Sequence, residues 1–215
     1  TNADGPLKPT EGKQYEVGLK YQPPGTSAMF TASLYDLTQE NVSTRDPLDP
    51  LNTVQTGEQV SRGLELEAIA DLNERLSLTA GYSYNDPEVT KSNDGNEGKD
   101  PKDVPRHLAS LWLDYRLAAL GLHGVSVGGG ARYNGTTHTV PSISDRKIPA
   151  YTLFDARVSY ALDDHWQLSA RAQNLTNQRY ANTVTPGYDD HGNDMARSTP
   201  GDGMGVYAGV SYSFR

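Results

Sequence analysis

Seven residues near the end of the chain, YDDHGND at 188–194, crowd three carboxylates and an imidazole into one short stretch. Asp189, Asp190, His191 and Asp194 are the hard donors that could ligate a divalent cation. They lack the alternating spacing of an EF-hand loop, and a solvated acidic loop is the stronger reading. The other histidines, His107, His123, His138 and His165, are scattered, and no two stand four residues apart as a zinc-binding helix requires. The chain has no cysteine, which removes disulfides, thiolate metal sites and a cysteine nucleophile. No G-x-S-x-G elbow occurs. A hydrolase would have to rest on Asp189, Asp190 and His191 alone, so the chain reads as a non-enzyme without cofactor or resident metal.

Charge narrows the partners. With a formal net charge of −8 and a pI near 5.0, the chain has no basic surface to neutralise phosphates, so nucleic acid is excluded as its main partner. No apolar run reaches the 18 residues of a membrane-crossing helix. The aliphatic content is low enough to suggest disorder, but 13 Tyr and 2 Trp are too many for a solvated coil. A fold that turns every second strand residue towards something apolar satisfies both facts.

Such a fold must supply the positions, and the period of two is plain. In LSLTAGYSY (76–84), Leu76, Leu78, Ala80, Tyr82 and Tyr84 share one face and Ser77, Thr79, Gly81 and Ser83 the other. The same alternation recurs at 14–21, 63–70, 107–115, 123–133, 152–162, 166–173 and 205–214, and 28–37 is β-rich, which makes nine predicted strands. Short turn-rich joins at 22–27, 71–75, 116–122 and 162–165 alternate with long polar ones at 38–55, 85–105, 134–149 and 182–203. All long loops therefore lie at one end of an up-and-down meander, with no helix expected.

Tyr15, Tyr21, Tyr82, Tyr84, Tyr115, Tyr133, Trp166 and Tyr212 punctuate the ends of the apolar face, as at the two interfaces of a bilayer. The opposite face carries Glu16, Lys20, Glu65, Glu67, Asp114, Arg157 and Arg171, which suits a hydrated lumen. Strands of about 9–11 residues match a tilted membrane crossing. The expectation is an all-β, transmembrane, antiparallel up-and-down barrel. Bacterial barrels have even strand numbers and no free edges, so nine strands are expected to close with others absent from this sequence.

Several stretches carry a resemblance: LKPTEGKQYEVGLKY (7–21), ASLYDLTQENV (32–42), QTGEQVSRGLELEA (55–68), VPRHLASLWLDY (104–115), IPAYTLFDARVSY (148–160) and NLTNQRYAN (174–182). The chain resembles TonB-dependent outer-membrane ferric-siderophore receptors, most closely the hydroxamate (ferrichrome or ferrioxamine) type. The resemblance implies a 22-stranded barrel filled by a plug, of which 1–215 would be the last nine strands, without plug, TonB box or first strands. It implies a periplasmic C-terminus and extracellular long loops. It also implies these partners: a ferric siderophore, the receptor's own plug domain and remaining barrel strands, the TonB complex acting through that plug, and outer-membrane lipid and lipopolysaccharide. The iron arrives chelated, so the protein needs aromatic and polar groups at the mouth; Trp112, Tyr133, His138, Tyr180 and Tyr188 are the candidates by position. Gly209, Tyr212 and Phe214 are similar to the C-terminal signal read by the barrel-assembly machinery, and Arg215 departs from it. The alternative is a binding-only barrel, such as an adhesin or a phage or colicin receptor.

Overall fold

The computed structural model describes residues 7–49, 51–139 and 145–214; Arg215 and part of the expected 134–149 loop lie outside them. The strands are β1 (Glu11–Tyr21), β2 (Met29–Arg45), β3 (Thr53–Asp71), β4 (Leu76–Lys91), β5 (His107–Arg116), β6 (Val125–Asn134), β7 (Thr137–His138), β8 (Lys147–Ile148), β9 (Tyr151–Ala161), β10 (Trp166–Gln173), β11 (Ala181–Tyr188), β12 (Asp194–Pro200) and β13 (Gly205–Tyr212). Nine form one sheet in the order β1-β2-β3-β4-β5-β6-β9-β10-β13, and every pairing in it is antiparallel. The pairs β7–β8 and β11–β12 are separate hairpins set into two of the long connections.

Polar side chains close the short turns onto backbone donors. The Asn73 side-chain oxygen accepts from the N–H groups of Arg75 and Leu76, and Asp163 does the same for His165 and Trp166. In QPPGTS, Gly25 takes the left-handed conformation (φ 75°) that the turn needs. One 3-10 turn, Leu117–Leu120, fills the 116–122 connection, where no helical element was expected.

The register carries the alternation across the lower sheet without a slip; the irregularities lie in the upper parts of β2, β3 and β4, at Glu40–Thr44 and Glu58. Tyr21, Phe30, Ala68, Ala80, Leu111, Ala131 and Phe154 are successive partners on one face. Lys20, Thr31, Glu67, Gly81, Ser110, Arg132 and Leu153 form the adjacent rung on the other. A one-residue slip would exchange these faces. Among the described residues only Ala70, Val89, Ile148 and Leu153 are buried apolar side chains, whereas Val17 is 69% and Leu19 70% exposed. The polar face is the inner one, because residues from β3, β4, β5, β6 and β9 gather there round one cavity. The outer apolar face is built for hydrocarbon rather than for a packed core. Tyr82, Tyr84 and Tyr133 edge it towards the long connections; Trp166, Tyr212 and Phe214 pack together at the short-turn end, with ring centroids 4.7 Å apart in both contacts.

Three strands exceed the expected length. β2, β3 and β4 run for 17, 19 and 16 residues and take over much of the expected loops 38–55 and 85–105. The last apolar outer rung is Leu34, Leu64 and Tyr84; the next is Asp36, Arg62 and Asp86. Arg62 Nε donates to Asp36 at 2.7 Å, and the Arg106 guanidinium joins Asp86. The apolar signal stops where the hydrocarbon would stop, but backbone pairing continues in polar sequence as a fin of β2, β3 and β4, flanked up to Glu40 by the start of β1. Near its tip the Asp46 and Asp49 carboxylates accept the N–H groups of Leu48 and Leu51.

Candidate functional site

The inner face opens into a cavity of about 510 Å³ near the long-connection end, bordered by Glu65, Glu67, Arg132, Tyr151, Tyr180 and Asn182 among others. Tyr180 stacks on Tyr151 with ring centroids 4.2 Å apart and planes inclined by 28°. Its ring lies where a side chain on Gly201 would stand, and the Gly201 N–H donates to the Tyr180 carbonyl at 3.0 Å. The NLTNQRY segment holds Tyr180 in place. Asn174, only 2% exposed, accepts from the Gln178 N–H and donates to the Gln178 and Asp202 carbonyls. Asn174 and Asn177 both adopt positive φ (49° and 48°), which asparagine tolerates better than most residues. Asp155 anchors this segment to the sheet: its carboxylate accepts from the Asn174 N–H at 3.0 Å and from Arg132 Nε at 2.9 Å.

Trp112 lies deeper on the inner face. Its indole N–H donates to Asp114 at 2.6 Å, and Asp114 also receives Arg157 at 2.6 Å. The indole crosses the next strand over Gly128 and Gly130; a Cβ at Gly130 would stand 2.5 Å from the ring and collide with the Leu111 carbonyl oxygen. Arg171, beside Arg157 in the register, has no ion-pair partner among the described residues.

The remaining candidates do not point into this cavity from the inner face. Tyr133 borders it, but its partner Ala109 and the neighbouring Tyr82 place it on the outer face. His138 sits on β7 with Nδ1 2.7 Å from Asp145, and its carbonyl accepts the Asp103 N–H. Tyr188 ends β11, and its side chain lies outside the described residues. In the acidic stretch, Asp189 is committed to its own turn through the His191 and Asn193 N–H groups and the Asn193 amide. The Asn193 amide holds that carboxyl below its ordinary value. Among the described residues no three His, Cys, Asp or Glu side chains are grouped to hold a metal. Sequence reading missed Tyr151 and the inner face of the fin; the alternation through Leu153 and Asp155 was the available signal for Tyr151.

Ionic contacts tie the long connections together. Asp100 receives both Nε and Nη2 of Arg106, at 2.9 and 2.7 Å, in a charge-assisted fork. The Thr183 hydroxyl donates to Asp103 across 80 residues of sequence. The Arg106 hydrogen bonds hold the Asp100 carboxyl below its ordinary value. A depressed carboxyl contributes stability that is present above its unfolded pKa, near 3.9, and lost as pH falls through the lower folded value. Amide hydrogen exchange in 96–103 is therefore expected to be unchanged from pH 7 to 5 and, after correction for intrinsic rates, to accelerate below about pH 4. Unchanged protection at pH 3 would count against the Arg106 fork as the anchor.

Sequence comparison decides the family. Residues 1–175 match the family described as TonB dependent receptor-like, beta-barrel. The chain belongs to the TonB-dependent receptors. It is 39% identical over 180 residues to the ferrioxamine B receptor of Salmonella typhimurium, covering 81% of this chain and 25% of that protein. It is 40% identical over 154 residues to the ferrichrome outer membrane transporter/phage receptor of Escherichia coli K12, covering 72% of this chain and 20% of that one. In fold, it superposes on the crystal structure of the siderophore receptor PiuA from Acinetobacter baumannii with a TM-score of 0.76 at 23% identity, over 95% of this chain and 28% of PiuA. This chain thus spans about a quarter of its curated relatives and forms part of a TonB-dependent receptor barrel wall.

Proposed function

We propose that this wall segment belongs to an outer-membrane receptor that takes up ferric siderophores of the hydroxamate type. The observation that carries this reading is the coincidence, at one end of the sheet, of the long connections with an inner cavity presenting the stacked Tyr151–Tyr180 pair. A cavity lined by aromatic and polar groups suits a bulky chelate whose iron is already saturated. In this reading the long connections are extracellular, the C-terminus is periplasmic, and lipid and lipopolysaccharide cover the outer band. A plug domain fills the lumen and takes energy from the TonB complex. The relatives named for ferrioxamine and ferrichrome support the substrate class.

The test is iron-limited growth. A strain deleted for the full-length receptor is expected to lose growth on ferrioxamine B or ferrichrome as sole iron source and to regain it from a plasmid copy. If no hydroxamate chelate depends on the receptor, the reading fails.

A further inference from the structure

The fin reverses the polarity of the wall below it. On its outer face, successive rungs are Asp36–Arg62–Asp86, Thr38–Val60–Glu88 and Glu40–Glu58–Lys91. On its inner face they are Tyr35–Gly63–Asn85, Leu37–Ser61–Pro87 and Gln39–Gln59–Val89. Within β2, β3 and β4 the outer rungs hold seven acidic or basic side chains and the inner rungs none; β1 adds Glu16 beside Tyr35, where the Gln14 amide donates to it, outside the cleft lining. The returning connection lays Pro101 and Val104 against this inner face and leaves a cleft of about 300 Å³. Its floor is internally satisfied: the Tyr35 hydroxyl donates to Asn85, whose amide donates to the Pro105 carbonyl at 3.1 Å. Its rim is not. Among the described residues, the side-chain amides of Gln39 and Gln59 have no hydrogen-bond partner. Lys102, the nearest basic residue along the returning connection, pairs with Asp103 at 3.4 Å.

We propose that this cleft is a vestibule subsite for the uncharged, amide-bearing periphery of a ferric chelate, separate from the Tyr151–Tyr180 cavity. The lining itself carries no charge, and the neighbouring Lys102 and Asp103 are paired with each other, so an anionic or cationic ligand would give up hydration here with no free counter-charge to replace it. A neutral ligand with peptide or hydroxamate groups meets two free amides and the apolar flanks of Leu37, Pro87, Pro101 and Val104. The volume is at the lower end for small-molecule pockets, so the cleft holds one edge of a chelate and not the whole. The subsite rests on the receptor reading above.

The test measures equilibrium binding to the purified full-length receptor with two probes, ferrichrome, a neutral trihydroxamate, and ferric enterobactin, a tris-catecholate trianion. The double variant Gln39→Ala/Gln59→Ala is expected to weaken ferrichrome binding about tenfold, a few-fold for each neutral hydrogen bond lost. The double variant Thr38→Ala/Glu88→Gln, at matching heights on the outer face, is expected to bind as the parent does. The parent is expected to prefer ferrichrome to ferric enterobactin. An unchanged ferrichrome affinity in the inner-face variant, an equal loss in the outer-face variant, or equal parental affinity for both probes overturns the subsite while leaving the receptor reading intact. A parent protein that binds no ferric chelate overturns both, and that is visible before any variant is made.

Discussion

Replacing Gly130 by valine is expected to stop the receptor from reaching its folded barrel form. The new Cβ would collide with the Leu111 carbonyl oxygen and stand 2.5 Å from the Trp112 ring. The indole could turn away by rotating its side-chain torsions, at the loss of its hydrogen bond to Asp114. The carbonyl cannot, because it belongs to the strand paired with β6. Overpacking against side chains commonly costs 1–3 kcal/mol, and a clash with paired backbone is placed at about 3 kcal/mol or more. Gly129 is the internal control: its nearest neighbour to a new Cβ is the Asp155 carbonyl oxygen at 3.8 Å. Heat-modifiable migration on SDS gels distinguishes folded from unfolded barrel. Gly130→Val is expected to lose the folded band and Gly129→Val to keep it; equal behaviour would refute the inner-face packing described for Trp112.

Leu111→Arg is expected to have the second large effect. Leu111 lies in the middle of the outer apolar run Ala109, Leu111, Leu113 of β5 and is 45% exposed. In a bilayer that exposure is to hydrocarbon, and an arginine at the midplane of a barrel's outer face costs about 2–4 kcal/mol. Ser83→Arg, on the inner face and opposite Glu65 in the register, places the same charge where water and a carboxylate can meet it. Urea unfolding from lipid vesicles is expected to show a lower midpoint for Leu111→Arg and little change for Ser83→Arg. A comparable drop for both would mean that the two faces are not distinguished as the register implies.

The pair of faces was legible because period two survives wherever one face is apolar. Segments such as 76–84 and 107–115 therefore yielded both their strands and their inward residues, and the count of nine strands was reached from alternation in eight segments and the β-rich composition of 28–37. The upper halves of β2, β3 and β4 were not legible for the same reason. Beyond Leu34, Leu64 and Tyr84 neither face is consistently apolar, so hydropathy cannot distinguish paired backbone from loop; the hydrogen-bond ladder alone defines the strands there. The site was legible in part. Tyr180 and Trp112 do lie on the inner wall, but Tyr180 acquires its stacking partner Tyr151 only through the fold of NLTNQRY. That contact joins residues 29 apart in sequence by way of Asn174, Asp155 and Gly201, and no spacing rule encodes it. Tyr133 carries two readings from the sequence, a strand end near the mouth and an outward parity, and the register keeps the second.

The order of strands in the sheet has a consequence for how the wall forms. Nearly every pairing joins strands adjacent in the chain, and the exceptions, β6 with β9 and β10 with β13, skip only a hairpin. Each addition therefore closes a modest loop, and closure entropy grows only slowly with loop length. Growth by successive hairpins from any starting pair is the route this topology favours. The longest of these connections, between β10 and β13, is drawn together at its two ends by the Asn174–Asp202 contact, so β13 reaches β10 across a gap far shorter than the sequence separation.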